Sequence, residues 1–156
     1  MKKLAFLILL SVLMLSANQA VSETIGVDTS ETFWNRFRTA IERHLRRPYV
    51  WGSSGLKSFD CSGFIWRAMK DSGVLIKRTT ARKLYLSLTV VEQDKEYKPG
   101  NIVFFDDLKH CGIVSNERKF YHAGSSTGTT IESFDPYWRD KVIGFRAIHV
   151  PDISRQ

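Results

Sequence analysis

The apolar residues of this chain change their period once, and that change sets the class of fold. Between residues 31 and 86 they recur at the three-and-four spacing of helices buried on one face. After Lys98-Pro99-Gly100 they come in short runs separated by turn residues, as strands do. A first helix is expected from Glu31 to Arg46, with Phe33, Phe37, Ala40, Ile41 and Leu45 on its buried face. Asp28, Thr29 or Ser30 would cap it, and Pro48 lies just past its end. A second is expected to begin at Asp60-Cys61-Ser62, bury Phe64, Ile65, Ala68 and Met69, and stop at Gly73. A third, shorter helix covers Thr79 to Leu86. Strands are expected at 102–105, 111–115, 119–123, 129–133 and 142–148. Helices ahead of strands predict an α+β domain, its N-terminal helices packed on a mostly antiparallel sheet of five to six strands. A chain of 156 residues without repeats or low-complexity linkers holds one such domain, here residues 31–150, and no separate binding module.

A segment of different character precedes that domain. Met1-Lys2-Lys3 is basic, Leu4 to Leu15 is almost wholly apolar, and Ser16-Ala17-Asn18-Gln19-Ala20 supplies small residues for cleavage after Ala17 or Ala20. This is the layout of a secretory signal peptide over residues 1–20. Its apolar run is short for a bilayer span and has no polar face to suit a core helix. No second such run follows, and no cysteine sits near the cleavage point. The expected product is exported to the periplasm or cell wall, without lipid anchor or stable membrane insertion. Residues 21–30 read as a polar, flexible leader. Loss of residues 1–20 removes two lysines and no acids, which lowers the formal charge from +7 to +5. For a basic exported domain the anionic partners are cell-wall polymers and membrane surfaces. The basic residues are scattered except at 43–47 and 77–83, which read as solvated helix faces, so nucleic acid is not an expected partner.

The chemistry centres on Cys61. A cysteine attacks as the thiolate, and an ordinary thiol is mostly protonated near neutral pH. The first turn of a helix favours negative charge, because its backbone N–H groups are unpaired and the helix dipole points its positive end there. Asp60 stands where a cap belongs and Gly63 permits close approach of backbone or substrate. Asp-Cys-Ser-Gly alone is a weak signal, since a cysteine at a helix start is more often a small buried residue. A nucleophile also needs a base and a group to orient the base.

Four histidines are available: His44, His110, His122 and His149. His44 and His149 read as satisfied core or surface residues. His110 and His122 flank a hairpin whose turn is read as Asn116-Glu117-Arg118. A three-residue turn pairs Ser115 with Lys119 and sets His122 opposite Gly112, so both imidazoles leave the same face as diagonal neighbours about 7 Å apart at Cβ. Gly112 between them leaves room for two rings. A two-residue turn would shift the register by one and separate them. The same alternation sends Cys111 to the opposite face, into the core, where a bridge to Cys61 would distort the strand. Two free thiols are expected, Cys61 reactive and Cys111 inert.

At these residues the chain resembles the NlpC/P60 family of papain-like hydrolases, over about Phe33 to Ile148. The matching pieces stand in family order: Arg47-Pro-Tyr-Val-Trp-Gly52, Phe59-Asp-Cys-Ser-Gly-Phe64, Lys98-Pro-Gly-Asn-Ile-Val-Phe-Phe105, His110-Cys-Gly-Ile-Val114, Phe120-Tyr-His-Ala123, Tyr137-Trp138 and Val142-Ile-Gly-Phe-Arg146. The resemblance implies Cys61 as nucleophile, His110 as base and acid, and His122 as the group that orients His110. It implies Tyr49 over the nucleophile, with its hydroxyl near the oxyanion, and Asp60 and Ser62 binding the free amino end of a stem peptide. A packed aromatic and a plain helix cap stand as the alternatives for Tyr49 and Asp60. The implied reaction is hydrolysis of peptidoglycan stem peptides, after D-γ-glutamate and before diaminopimelate or lysine, by a monomer without metal or cofactor. Ser53, Asn101 and Cys111 depart from the family pattern, which usually has glycine, aspartate and an aliphatic residue there. A zinc site built from Cys61, His110 and His122, a non-catalytic wall-binding module and a toxin-like lytic protein are the competing readings.

Overall fold

The computed structural model describes residues 29–149. The expected signal segment and Asp28 lie outside them, as does the leader apart from its last two residues. The described residues from Thr32 on form one compact unit. Helix α1 spans Thr29–Glu42, four residues short of the expected end at Arg46. Its last turn is given up to a distant strand. Arg46 takes a positive φ of 61°, and its N–H donates to the Thr129 carbonyl at 2.7 Å while the Thr129 N–H donates to the Arg47 carbonyl at 2.8 Å. The Thr129 hydroxyl completes the tie, donating to the His44 carbonyl at 2.6 Å and accepting from the Arg47 N–H at 2.8 Å. Left-handed backbone at a non-glycine costs roughly 1–3 kcal/mol, which these bonds offset. Helical periodicity carries no information about such a contact.

Helix α2 spans Cys61–Asp71 and starts where expected. Asp60 caps it by accepting the Gly63 N–H at 2.6 Å. It ends in a Schellman turn: Gly73, at φ 93°, donates to the Lys70 carbonyl at 3.2 Å and Val74 to the Met69 carbonyl at 2.9 Å. Gly63 is required for packing, since a Cβ there would overlap the Ser53 carbonyl oxygen. Helix α3 spans Ala81–Ser87 behind a Thr80 cap, two residues later than its expected start.

The sheet has six strands in the order β1-β6-β2-β3-β4-β5, and every neighbouring pair is antiparallel. Strands β2 (Ile102–Phe105), β3 (His110–Asn116), β4 (Lys119–Gly124), β5 (Gly128–Ser133) and β6 (Val142–Ala147) fall within a residue or so of expectation. Two elements had no sequence signal: the two-residue edge strand β1 (Thr89–Val90) and the four-residue helix α4 (Pro136–Arg139). Both are too short to show a period.

The sheet has two unlike faces. One carries Ile102, Phe104, Cys111, Ile113, Tyr121 and Ala123 and packs on Phe33, Phe37, Ile41, Phe64, Ile65 and Met69 of the helices. The other carries Val103, Phe105, Val114, Phe120 and Phe145 and is covered by Phe134 and Trp138. Cys61 belongs to the helix-side core, where it is 6% exposed. Among the described residues no helix is long and apolar enough to cross a membrane.

Candidate active site

The β3–β4 hairpin reaches the expected pairing by an unexpected route. Gly112 pairs with His122, Ile113 with Tyr121 and Val114 with Phe120. Asn116, however, pairs with Lys119, and the register shifts between Val114 and Asn116. The loop is therefore two residues, Glu117-Arg118, and Ser115 is an extra residue bulged out of β3. The sequence reading held that a two-residue turn would throw the histidines to opposite faces. The bulge restores the register that the shorter turn removes. Asn116 Oδ1 accepts the Arg118 N–H at 2.9 Å, which tightens the turn.

His110 and His122 consequently share a face, and His110 Nε2 lies 2.8 Å from His122 Nδ1 with the rings nearly perpendicular, at 89°. Gly112 leaves the space: a Cβ there would stand 2.7 Å from Phe120 Cδ2 and 2.8 Å from the Tyr121 carbonyl. Trp138 stacks on His110 with centroids 5.5 Å apart and planes inclined by 28°, and meets His122 edge-on at 5.2 Å. His122 is 1% exposed. Burial and the neighbouring His110 charge lower its pKa to about 4, against a weaker upward pull from Glu132. His122 is thus a neutral ring above that pH.

Cys61 opens α2, and its Sγ lies 3.9 Å from the Lys109 carbonyl oxygen, one residue before His110. Its pKa is lowered to about 5. Hydrogen bonding to Cys111 is the largest cause, burial opposes it, and hydrogen bonding to and charge on His110 add to the fall. Both cysteines are free. They are nonetheless close to each other. Alternation does send Cys111 into the core, but that core is the one Cys61 enters, so the two thiols are neighbours. Burial, then the hydrogen bond to and charge on Cys61, push the Cys111 thiol well above its usual range.

Around this centre Asp60 is a hub. Its Oδ1 accepts from the Gly63 N–H at 2.6 Å and the Ser62 hydroxyl at 3.2 Å. Its Oδ2 accepts from the Gly52 N–H at 2.9 Å and from Arg78 Nη2 at 2.6 Å. Arg78 Nη1 also donates to Ser62 Oγ at 2.9 Å and to the Thr79 carbonyl. Tyr49 packs against the helix-side core. Burial, followed by the charges of Cys61, Asp60 and Cys111, raises its hydroxyl pKa, so it stays a proton donor. His44 is a satisfied core residue, its Nε2 2.7 Å from Asp71 Oδ2, and His149 is exposed.

Three residues were missed in sequence: Arg78, Glu132 and Trp138. Arg78, expected with residues 77–83 on a solvated helix face, instead lies in the loop ahead of α3 and is bonded to Asp60 and Ser62. Glu132 reaches the site through the β4–β5 register, and Trp138, part of the family resemblance but without a role in it, reaches it from α4. Among the described residues no group of three or more His, Cys, Asp or Glu side chains is arranged to hold a metal ion.

The profile of the NlpC/P60 family matches residues 46–147. A probable endopeptidase p60 of Listeria seeligeri is 32% identical over 107 residues, 67% of this chain and 20% of that protein. A probable peptidoglycan endopeptidase, LytE of Bacillus subtilis, is 33% identical over 102 residues, 62% of this chain and 29% of its own. The chain thus spans less than a third of either relative's length. Among solved structures, a lipoprotein-like NLP/P60 protein of Staphylococcus aureus superposes with a TM-score of 0.69 at 25% identity, covering 85% of this chain and 47% of that one.

Proposed function

The chain belongs to the NlpC/P60 family, and on that premise we propose that it is an exported cysteine hydrolase that cuts peptide bonds in peptidoglycan stem peptides. The observation that carries this reading is the 2.8 Å contact between His110 and His122 beside a thiol whose pKa is lowered to about 5. The Cys61 thiolate attacks the scissile carbonyl carbon. The oxyanion that forms is met by the Cys61 backbone N–H, which has no acceptor inside the helix, and by the protonated Tyr49 hydroxyl. His110, cationic after taking the thiol proton, returns it to the leaving amine. Water, activated by His110, then releases the acyl group from Cys61. His122 accepts from His110 Nε2–H and so keeps the other ring nitrogen turned to the sulfur.

Asp60 and Ser62 support this centre mainly as its frame. A carboxylate has about four lone-pair sites, and those of Asp60 are taken by Gly63, Ser62, Gly52 and Arg78. They fix the start of α2 and hence the aim of Cys61. Ser62 both donates to Asp60 and accepts from Arg78. The cut assigned to the substrate is the bond after D-γ-glutamate, the bond that the family likeness implies. The apolar run near the N-terminus supports delivery to the cell-wall compartment.

Purified muropeptides incubated with the protein should yield shorter peptides by mass spectrometry, and their masses identify the bond cut. Cys61→Ala should abolish the products and Cys111→Ala should leave most of them. Undiminished products from Cys61→Ala would end the proposal.

A further inference from the structure

Glu132 lies on β5 opposite Phe120, while His122 lies opposite Thr130. Alternation puts Glu132 and His122 on one face as diagonal neighbours. Its two carboxylate oxygens are divided. Oε2 accepts the Trp138 Nε1–H at 2.8 Å, and Trp138 is the ring stacked on His110. Oε1 lies 3.2 Å from His122 Nε2, a contact poorly aligned for a hydrogen bond, and this buried nitrogen has no other partner among the described residues. A buried N–H without a partner costs about 1–3 kcal/mol, and Glu132 Oε1 is the acceptor beside it. We propose that Glu132 is a positioning residue of this site: one oxygen holds His122 in the tautomer protonated at Nε2, and the other clamps Trp138 over His110.

The consequence reaches the sulfur through two rings. With the proton on His122 Nε2, its Nδ1 carries a lone pair and accepts from His110 Nε2–H. His110 Nδ1 is then free to take the thiol proton. In the other tautomer two N–H groups would face each other across 2.8 Å unless His110 placed its proton on the nitrogen that serves as base. The negative charge of Glu132 also favours positive charge on the histidine pair, and so the thiolate it balances. The titratable groups acting on His122 are His110 from β3 and Glu132 from β5. Those acting on Cys61 are Cys111 and His110 from β3 and its own cap Asp60, with Tyr49 facing it from the preceding loop. Among the described residues Glu132 is the one acid acting on His122.

This inference rests on the proposed roles of Cys61 and His110, so its test avoids hydrolysis. The rate of iodoacetamide alkylation at Cys61, read by mass spectrometry of the modified peptide, is followed against pH in the wild type, Glu132→Gln and Glu132→Asp, each with its thermal midpoint. The expected result is an upward shift of the Glu132→Gln midpoint by about one pH unit, partly recovered in Glu132→Asp, with thermal midpoints unchanged. A Glu132→Gln midpoint equal to that of the wild type overturns the assignment, as does an equal shift in Glu132→Asp. A protein that cuts no muropeptide yet shows the shift would sink the proposed substrate and leave Glu132 in place.

Discussion

The two faces of the β3–β4 hairpin are built from the same alternating residues and serve opposite ends. The helix-side face holds Cys111, Ile113, Tyr121 and Ala123 in the main core. There, apart from the Cys111 thiol and the Tyr121 hydroxyl, which donates to Glu42 Oε1 at 3.3 Å, volume is what matters. The other face holds His110 and His122 among Phe105, Phe120 and Trp138. It is aromatic enough to exclude water from His122 and polar enough to pass a proton. The difference teaches that one strand can fill a core and carry a relay without compromise, because the pleat separates the tasks. Their meeting point is Cys61, which sits in the first core and answers to the second.

Substitutions on each face should sharpen that division. His110→Ala should lower kcat/KM by about 10²–10⁴-fold with little change in thermal midpoint, since its ring is only partly buried. Ile113→Ala, on the other face and fully buried, should cost about 2–5 kcal/mol in denaturant unfolding while each folded molecule keeps its activity. The reverse pattern, a stable Ile113→Ala or a collapsing His110→Ala, would break the comparison. Acid should act on the relay face before it acts on the fold. Cys61, with its pKa lowered to about 5, is ionised above that pH and protonated below it. The rate should therefore fall tenfold for each unit once the pH drops past 5, while circular dichroism holds. The smallest effect on stability is expected from Cys111→Ala, which removes a single buried sulfur, but it should raise the Cys61 midpoint clearly, since the Cys111 hydrogen bond is the largest cause of its fall.

How much of this could be read in the sequence depended on how local each cause was. Helix α2, its Asp60 cap and its Gly73 stop are set within one short stretch, residues 60–73, and were legible. The shared face of His110 and His122 was legible too, although the turn that produces it was misjudged: Asn116 joins the strand, and the bulge at Ser115 takes up the difference. A bulge has no residue signature, because Ser115 is ordinary and only the partner strand shows it to be extra. The end of α1 was misplaced because Thr129, far along the chain, claims the Arg46 and Arg47 amides. The nearness of Cys111 to Cys61 was missed for a related reason. Alternation tells which face a side chain leaves from, and not what else has been packed against that face.

The central claim is that Cys61 is a thiolate at ordinary pH because hydrogen bonding to Cys111, followed by the hydrogen bond to and charge on His110, outweighs its burial. The direct measurement is the pH dependence of Cys61 alkylation in the folded wild-type protein, with Cys61→Ala as blank. A midpoint near pH 5 is the result this account predicts. A midpoint near 8.5, where an unperturbed thiol ionises, would contradict it.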